Sequence, residues 1–147
     1  MSLDTLKLMS IKSAQMSTIR FPCVLIVDDD ADDRELLTSV LSSINKDILF
    51  ITAHDGLEAL KAIEDLIFLP HLIMLDLNMP RMGGKDFLRE IKRHPKFSKI
   101  PIYIYTTSAD IRDQEETKGL GAQAYFVKPT NYSGVVYVAT NVLSQMA

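Results

Sequence analysis

The sequence contains little cysteine, no long apolar run and only a small net charge. Its single cysteine, Cys23, cannot form an intrachain disulfide, which argues against a secreted fold held together by disulfides. No apolar run reaches the roughly 18 residues that span a membrane, and residues 1–20 lack the continuous apolar segment of a signal peptide. The net charge of −3 provides no general attraction for nucleic acid. We therefore expect a soluble, cytoplasmic protein with neither membrane nor nucleic acid among its partners.

The length of the chain fits one domain. With 147 residues, of which 47% are apolar, the chain can bury roughly two-thirds of its unfolded surface around a single core. No repeat, low-complexity tract or linker divides it. We expect residues 21–147 to form this domain and residues 1–20, which mix apolar and polar side chains, to form a poorly ordered N-terminal tail.

The small net charge conceals an uneven distribution of charged residues. Residues 28–35 contain six acids and one base, a net charge of −5, whereas residues 1–20 carry a net charge of +2. The dipole of a helix favours acids at its start, and this explains the later acids, Asp33 among them, as a first turn that faces water. It does not explain Asp28 and Asp29.

Short apolar runs alternate with longer segments of helical periodicity, which is typical of βα units around a parallel sheet. The apolar runs are residues 23–27, 48–52, 72–75, 102–105 and 124–127. Their nearly unbroken apolar character predicts strands that are covered on both faces. The segments between and after them predict five helices, with Leu37, Leu41 and Ile44 on the buried face of the first and Ile63 and Ile67 on that of the second.

The last three helices differ in their surfaces. A basic run in residues 81–99 is interpreted as a solvated helix face, with a partner surface as the alternative. The fourth helix, residues 110–120, has few large apolar residues with which to attach itself to a sheet. In the last helix, residues 133–146, Val136 and Tyr137 face away from the predicted core. They form either a surface for a homodimer or ordinary exposed apolar residues.

Carboxylates follow two of the predicted strands. Asp28 and Asp29 come directly after the first strand, and Asp76 comes directly after the third. Ligands of open parallel sheets bind beyond the carboxyl ends of the strands, so neighbouring first and third strands would bring these acids together. Several carboxylates in one place need a cation, and hard oxygen ligands favour Mg²⁺.

Two other strand ends carry complementary groups. Thr106 follows the fourth strand and Lys128 follows the fifth. A hydroxyl donor and a cation opposite carboxylates that hold a metal can bind a phosphoryl group while one carboxylate attacks its phosphorus. The combination of all four strand ends therefore predicts a phosphoryl-transfer site.

Four segments with these strand ends resemble the receiver domain of two-component response regulators. They are VLIVDDD (24–30), LIMLDLNMPRMGG (72–84), IYIYTTSA (102–109) and GAQAYFVKPT (121–130). The resemblance implies an α/β fold in which a doubly wound, five-stranded parallel sheet has the order 2-1-3-4-5, the flavodoxin-like arrangement.

The resemblance also implies a metal site. By this resemblance, Asp29, Asp76 and the main-chain carbonyl of Asn78 would hold Mg²⁺ directly, and Asp28 would act through water. Mn²⁺ can substitute for Mg²⁺ in such a site.

The resemblance implies a phosphoacceptor and a switch as well. Asp76 would be the phosphoacceptor, Thr106 and Lys128 would contact the phosphoryl oxygens, and Thr106 and Tyr125 would form the switch. The peptide bond between Lys128 and Pro129 is expected to be cis.

A phosphoacceptor of this kind implies particular partners. A sensor histidine kinase or a phosphotransfer protein would donate the phosphoryl group, and a downstream protein would receive the signal. Such a domain is not an enzyme in the usual sense, because it catalyses only its own phosphorylation and dephosphorylation. The alternative is a receiver-like interaction module that works without phosphorylation.

A phosphatase of the haloacid dehalogenase type also fits Asp28 and Asp30 after the first strand. That family needs an acidic pair after its lysine, and residues 129–147 contain neither Asp nor Glu. The receiver interpretation is therefore favoured.

Overall fold

The computed structural model describes residues 21–146, and the predicted N-terminal tail, residues 1–20, lies outside them. Five parallel strands form one sheet in the order β2-β1-β3-β4-β5. The strands are β1 (Cys23–Val27), β2 (Leu49–Ala53), β3 (Leu72–Leu75), β4 (Ile102–Thr106) and β5 (Ala124–Val127). This order confirms the predicted doubly wound, flavodoxin-like fold.

Five helices alternate with the strands. They are α1 (Ala31–Ile44), α2 (Gly56–Glu64), α3 (Gly84–Arg93), α4 (Ile111–Gly119) and α5 (Tyr132–Ser144). Within residues 21–146, no helix is long and apolar enough to cross a membrane.

The sheet separates two apolar cores. On one face, Leu41 of α1 and Val142 of α5 pack against strand residues such as Ile26. On the other face, Ile63 of α2 and Phe87 of α3 pack in the second core. Burial of these side chains supplies most of the stability of such a fold, because each one removes a large apolar surface from water.

Helix α4 contributes little to either core. Thr117 is the only residue of α4 that is buried, and Ile111 at its start is exposed. The predicted shortage of apolar anchoring in the fourth helix is confirmed.

Three predicted apolar positions are wrong. Ile67 is 58% exposed because α2 ends at Glu64 and the chain turns away before Pro70, which cannot continue a helix. Ile44 is exposed because it is the last residue of α1, where the helix passes the edge of the core. Val136 was expected to face outward, but it is partly buried against the first core, while Tyr137 is exposed as expected.

The expected cis peptide bond is also wrong. Every peptide bond in the described part of the chain is trans, including the bond between Lys128 and Pro129. A trans bond is the ordinary, lower-energy form before proline, and the chain enters α5 three residues after Pro129 without needing the other isomer.

Two leucines of α1 allow the contribution of the core to be measured. Leu41 is completely buried, whereas Leu36 is 41% exposed. We expect Leu41→Ala to lower the free energy of unfolding by about 2–5 kcal/mol, because the substitution leaves a cavity. Leu36→Ala should cost less than about 1 kcal/mol. Urea unfolding followed by circular dichroism measures both values, and equal losses would contradict the placement of α1.

Candidate functional site

The backbone places two acids side by side at the carboxyl edge of the sheet. The N–H of Asp28 donates to the carbonyl oxygen of Ala53 at 3.0 Å, and the N–H of Asp76 donates to that of Val27 at 2.9 Å. Both residues therefore extend the hydrogen-bonded ladder by one step beyond β1 and β3. Their carboxyl groups are almost completely buried, whereas the neighbouring Asp29 is exposed.

Three carboxylates form a cluster that can hold a divalent cation. Asp28, Asp29 and Asp76 each offer an oxygen atom, and these atoms all lie within 4.8 Å of one another. Oxygen atoms of this kind are the ligands that Mg²⁺ and Mn²⁺ prefer. Burial raises the pKa of Asp28 to about 6, against the opposing effects of Lys128 and the N–H of Asp30. The protein alone therefore does not fully stabilise the ionised cluster, and a cation would complement it.

Lys128 brings one positive charge to this cluster. Its ammonium nitrogen Nζ lies 2.8 Å from Oδ2 of Asp28, 2.7 Å from Oδ2 of Asp33 and 3.4 Å from Oδ2 of Asp76. The side chain is only 8% exposed. Burial opposes its charged form, but the hydrogen bonds to Asp28 and Asp33 outweigh burial and hold the pKa of Lys128 above the usual value. The lysine is therefore a permanent cation next to Asp76.

Asp33 is the member of the site that sequence reasoning missed. The sequence predicted that it faces water in the first turn of a helix, and it does lie in the first turn of α1. Its carboxylate, however, makes a short ion pair with Lys128 and is 37% exposed. Spacing places Asp33 in the first turn of α1, three positions after the N-cap Asp30, but it does not show that the side chain reaches Lys128.

Thr106 supplies a buried hydroxyl at the end of β4. It is completely buried, and its Oγ1 has no hydrogen-bond partner among the described residues. Its main-chain carbonyl accepts from the N–H of Lys128 at 2.7 Å, so the two residues are held together at neighbouring strand ends. An unsatisfied buried hydroxyl costs about 1–3 kcal/mol, so Thr106 would gain from an acceptor group bound nearby.

Tyr125 connects β5 to the loop before α4. Its hydroxyl donates to the carbonyl oxygen of Ser108 at 2.8 Å, and its ring packs partly against the second core. The hydroxyl of Ser108 in turn donates to Asp113 at 2.5 Å. The predicted switch residue therefore belongs to a chain of polar contacts that ends on α4.

Polar contacts also attach α4 to α3. Lys85 lies 2.6 Å from a carboxylate oxygen of Asp113 and 2.7 Å from one of Glu116, and Arg89 lies 2.8 Å from Glu116. Part of the basic run that was interpreted as a solvated face thus binds the acidic side of α4. These ion pairs attach α4 to α3 where apolar packing is sparse.

The loop after β3 presents Asn78 two residues beyond Asp76. The N–H of Leu77 donates to Oδ1 of Asp76 at 2.8 Å, and the N–H of Gly84 donates to the carbonyl oxygen of Leu77 at 2.9 Å. Arg81 has a left-handed backbone, with φ of 61°, and its Nε lies 2.7 Å from Oδ2 of Asp55. The Arg81 contact lowers the pKa of Asp55, which also caps α2. The loop is therefore fixed at both ends.

Gly84 is required where this loop meets Asp76. A Cβ atom at residue 84 would lie 2.2 Å from the carbonyl oxygen of Asp76, whereas one at Gly119, the last residue of α4, would meet nothing within 4 Å. We expect Gly84→Ala to destabilise the protein by about 1–3 kcal/mol through overpacking. Gly119→Ala should be neutral or stabilise by up to about 1 kcal/mol. Thermal unfolding of both variants tests this, and a harmless Gly84→Ala would refute the close approach.

The doubly wound fold has acids beyond β1 and β3, a threonine at the end of β4 and a lysine beyond β5, as the four segments of the sequence predict for a receiver domain. The response regulator receiver domain family matches residues 24–138, which is most of the chain. The chain belongs to this family. Receiver domains are signalling domains of two-component systems, not classical enzymes, and they interact with histidine kinases and downstream targets.

Individual relatives agree with this assignment. Over 113 residues the chain is 33% identical to the response regulator Rcp1 of Synechocystis, and the match covers 74% of this chain and 77% of Rcp1. It is 37% identical over 106 residues to the probable transcriptional regulator ycf27 of Porphyridium aerugineum, with 72% of this chain covered. The chain spans only 41% of that regulator's length.

Solved structures show the same fold. The phosphorylated cyanobacterial phytochrome response regulator RcpA superimposes with a TM-score of 0.78 at 26% identity, covering 84% of this chain and 91% of RcpA. The Mn²⁺-bound form of Rcp1 gives a TM-score of 0.76 at 30% identity, covering 84% of this chain and 92% of Rcp1.

Proposed function

We propose that the chain accepts a phosphoryl group on Asp76 and, once phosphorylated, changes the surface formed by α4 and β5. The observation that carries this proposal is the cluster of Asp28, Asp29 and Asp76 with the ammonium of Lys128 beside it. Such a combination of carboxylates and one cation suits a group that brings negative charge to the site.

The donor would be a phosphohistidine of a sensor histidine kinase or of a phosphotransfer protein. A carboxylate oxygen of Asp76 attacks the phosphorus, the bond between phosphorus and the histidine nitrogen breaks, and its electron pair returns to the imidazole. The product is an acyl phosphate on Asp76. Lys128 and the hydroxyl of Thr106 donate hydrogen bonds to the phosphoryl oxygens.

The site also suits a divalent metal. Asp29, Asp76 and the main-chain carbonyl of Asn78 would hold Mg²⁺, with Asp28 acting through water. When bound, Mg²⁺ would neutralise part of the negative charge that builds up during phosphoryl transfer. The Mn²⁺-bound form of Rcp1 supports the view that Mn²⁺ can substitute.

The signal would pass from Thr106 to α4. In the proposed switch, Thr106 moves towards the phosphoryl group and satisfies its buried hydroxyl, and Tyr125 leaves Ser108 to occupy the space that opens. Because Ser108 also contacts Asp113, this movement disturbs the polar attachment of α4. Few apolar contacts resist the change.

The output would be contact with a downstream protein in the cytoplasm. Tyr137 on α5 is exposed and could contribute to a homodimer, but the partial burial of Val136 reduces the apolar area there.

A receiver-like interaction module that works without phosphorylation is the second candidate. The exposed Tyr137 would suit either function, whereas the cluster of Asp28, Asp29 and Asp76 favours phosphorylation.

Acetyl phosphate tests the phosphoacceptor directly. With Mg²⁺ present, we expect the intact mass to increase by one phosphoryl group, and we expect Asp76→Asn to abolish this increase because the attacking carboxylate is lost. Asp29→Asn should abolish most of the labelling that depends on divalent cations. Asp32→Asn, which changes an exposed acid in α1, is the matched control and should be labelled normally. Equal labelling of Asp76→Asn would refute Asp76 as the phosphoacceptor, and an unchanged mass of the native protein would favour the interaction module.

Hydrogen exchange tests the switch. After phosphorylation we expect faster exchange of the amides in α4, because the polar contacts that attach this helix are disturbed, and unchanged exchange in α1, which is anchored by buried leucines. Mass spectrometry of peptides from the two helices measures the difference. A phosphorylated protein with unaltered exchange in α4 would show that the signal does not pass through this helix.

A further inference from the structure

Asp33 is the acid in contact with Lys128 that the proposed reaction leaves without a role. It lies outside the group of three carboxylates that can share a metal ion, yet it makes the shortest contact with Lys128, at 2.7 Å. The contact joins residues that are 95 positions apart in the chain. The start of α1 and the end of β5 are therefore joined at the site itself, which suggests that this contact has a role there.

The geometry fixes Asp33 in place. Its main-chain N–H donates to Oδ1 of the N-cap residue Asp30 at 3.0 Å. The guanidinium of Arg34 donates to the main-chain carbonyl of Asp28 at 2.6 Å, which ties the first turn of α1 to the end of β1. The carboxylate of Asp33 therefore approaches Lys128 from a rigid backbone.

Lys128 contacts carboxylates that belong to the metal-binding cluster and one that does not. Its three N–H donors face Asp28, Asp33 and Asp76, and two of these acids, Asp28 and Asp76, also belong to the metal-binding cluster. An ammonium that pairs only with Asp28 and Asp76 would compete with a divalent cation for the same oxygens. An almost buried ammonium cannot do without a partner either, because a buried charge is costly unless it is paired.

We propose that Asp33 is a positioning residue that shares the Lys128 ammonium with Asp28 and thereby keeps it from pairing closely with Asp76, whose oxygens stay available to the divalent cation. Asp33 suits this task because its carboxylate is not part of the cluster and is partly exposed to water. This role rests on the proposed function, in which Asp28, Asp29 and Asp76 bind a divalent cation.

Calorimetric titration with Mg²⁺ tests the proposal without relying on phosphorylation. We expect Asp33→Asn to weaken Mg²⁺ binding by about three- to tenfold, the size of one partly exposed ion pair. The Mg²⁺ concentration that gives half the maximal rate with acetyl phosphate should rise by a similar factor, with a smaller change in the rate at saturating Mg²⁺. Asn has nearly the shape of Asp at this partly exposed position, and circular dichroism verifies that the variant is folded.

Two comparisons separate positioning from a general effect of charge. Asp32→Asn removes one negative charge from the same helical turn and should change the affinity for Mg²⁺ clearly less. In a Lys128→Met background, where no ammonium remains to be held, Asp33→Asn should have only the small effect of Asp32→Asn. This is a double-mutant cycle read out by Mg²⁺ affinity.

The possible failures are distinguishable. If Asp33→Asn and Asp32→Asn weaken Mg²⁺ binding equally, or if the effect of Asp33→Asn persists undiminished in the Lys128→Met background, the role assigned to Asp33 is wrong. A native protein that neither binds Mg²⁺ nor accepts a phosphoryl group would instead overturn the proposed function, together with the role of Asp33 that depends on it.

Discussion

The interaction on which the site depends is the pairing of one lysine with several acids at the carboxyl edge of the sheet. The adjacency of β1 and β3 forces Asp28 and Asp76 together and buries both. Two buried carboxylates repel each other, and the ammonium of Lys128, delivered by β5 from the far side of β4, offsets this repulsion. Burial raises the pKa of Asp28 even though Lys128 lies beside it, and one ammonium faces the carboxylates of Asp28, Asp33 and Asp76. The remaining negative charge gives a divalent ion a reason to bind.

The concentration of acids near the start of α1 has several causes. Asp28 and Asp29 belong to the cluster beyond β1, whereas Asp30 caps the helix by accepting from the N–H of Asp33. Asp33 then turns back to Lys128 and joins the helix to the site. The helix dipole, which favours acids in a first turn, therefore accounts for only part of this sequence.

Sequence periodicity predicts the sheet well because parallel strands that are covered on both faces must be apolar throughout. The predicted strands also place four residues at one edge, because the carboxyl ends of parallel strands meet at the same edge of the sheet. They are Asp28, Asp76, Thr106 and Lys128. Periodicity fails at the ends of helices, where Ile44 and Ile67 continue the apolar pattern after the packed surface has ended. The Asp33 contact was missed for a different reason: it depends on how far α1 tilts over the edge of the sheet, and residue spacing carries no such information.

In the proposed switch, the polar attachment of α4 is the reason that this helix, rather than α1, responds to phosphorylation of Asp76. An apolar side chain such as Leu41 loses its stabilisation when it leaves the core, because its apolar surface is then exposed to water. An ion pair such as Lys85 with Asp113 lies partly in water, so breaking it costs little, because water solvates the separated charges. Ser108 contributes to both sides of this arrangement, accepting from Tyr125 through its carbonyl oxygen and donating to Asp113 through its hydroxyl. In the proposed switch, a displacement at the end of β4 would therefore reach α4 through these two polar contacts, while the two apolar cores on either side of the sheet would stay as they are.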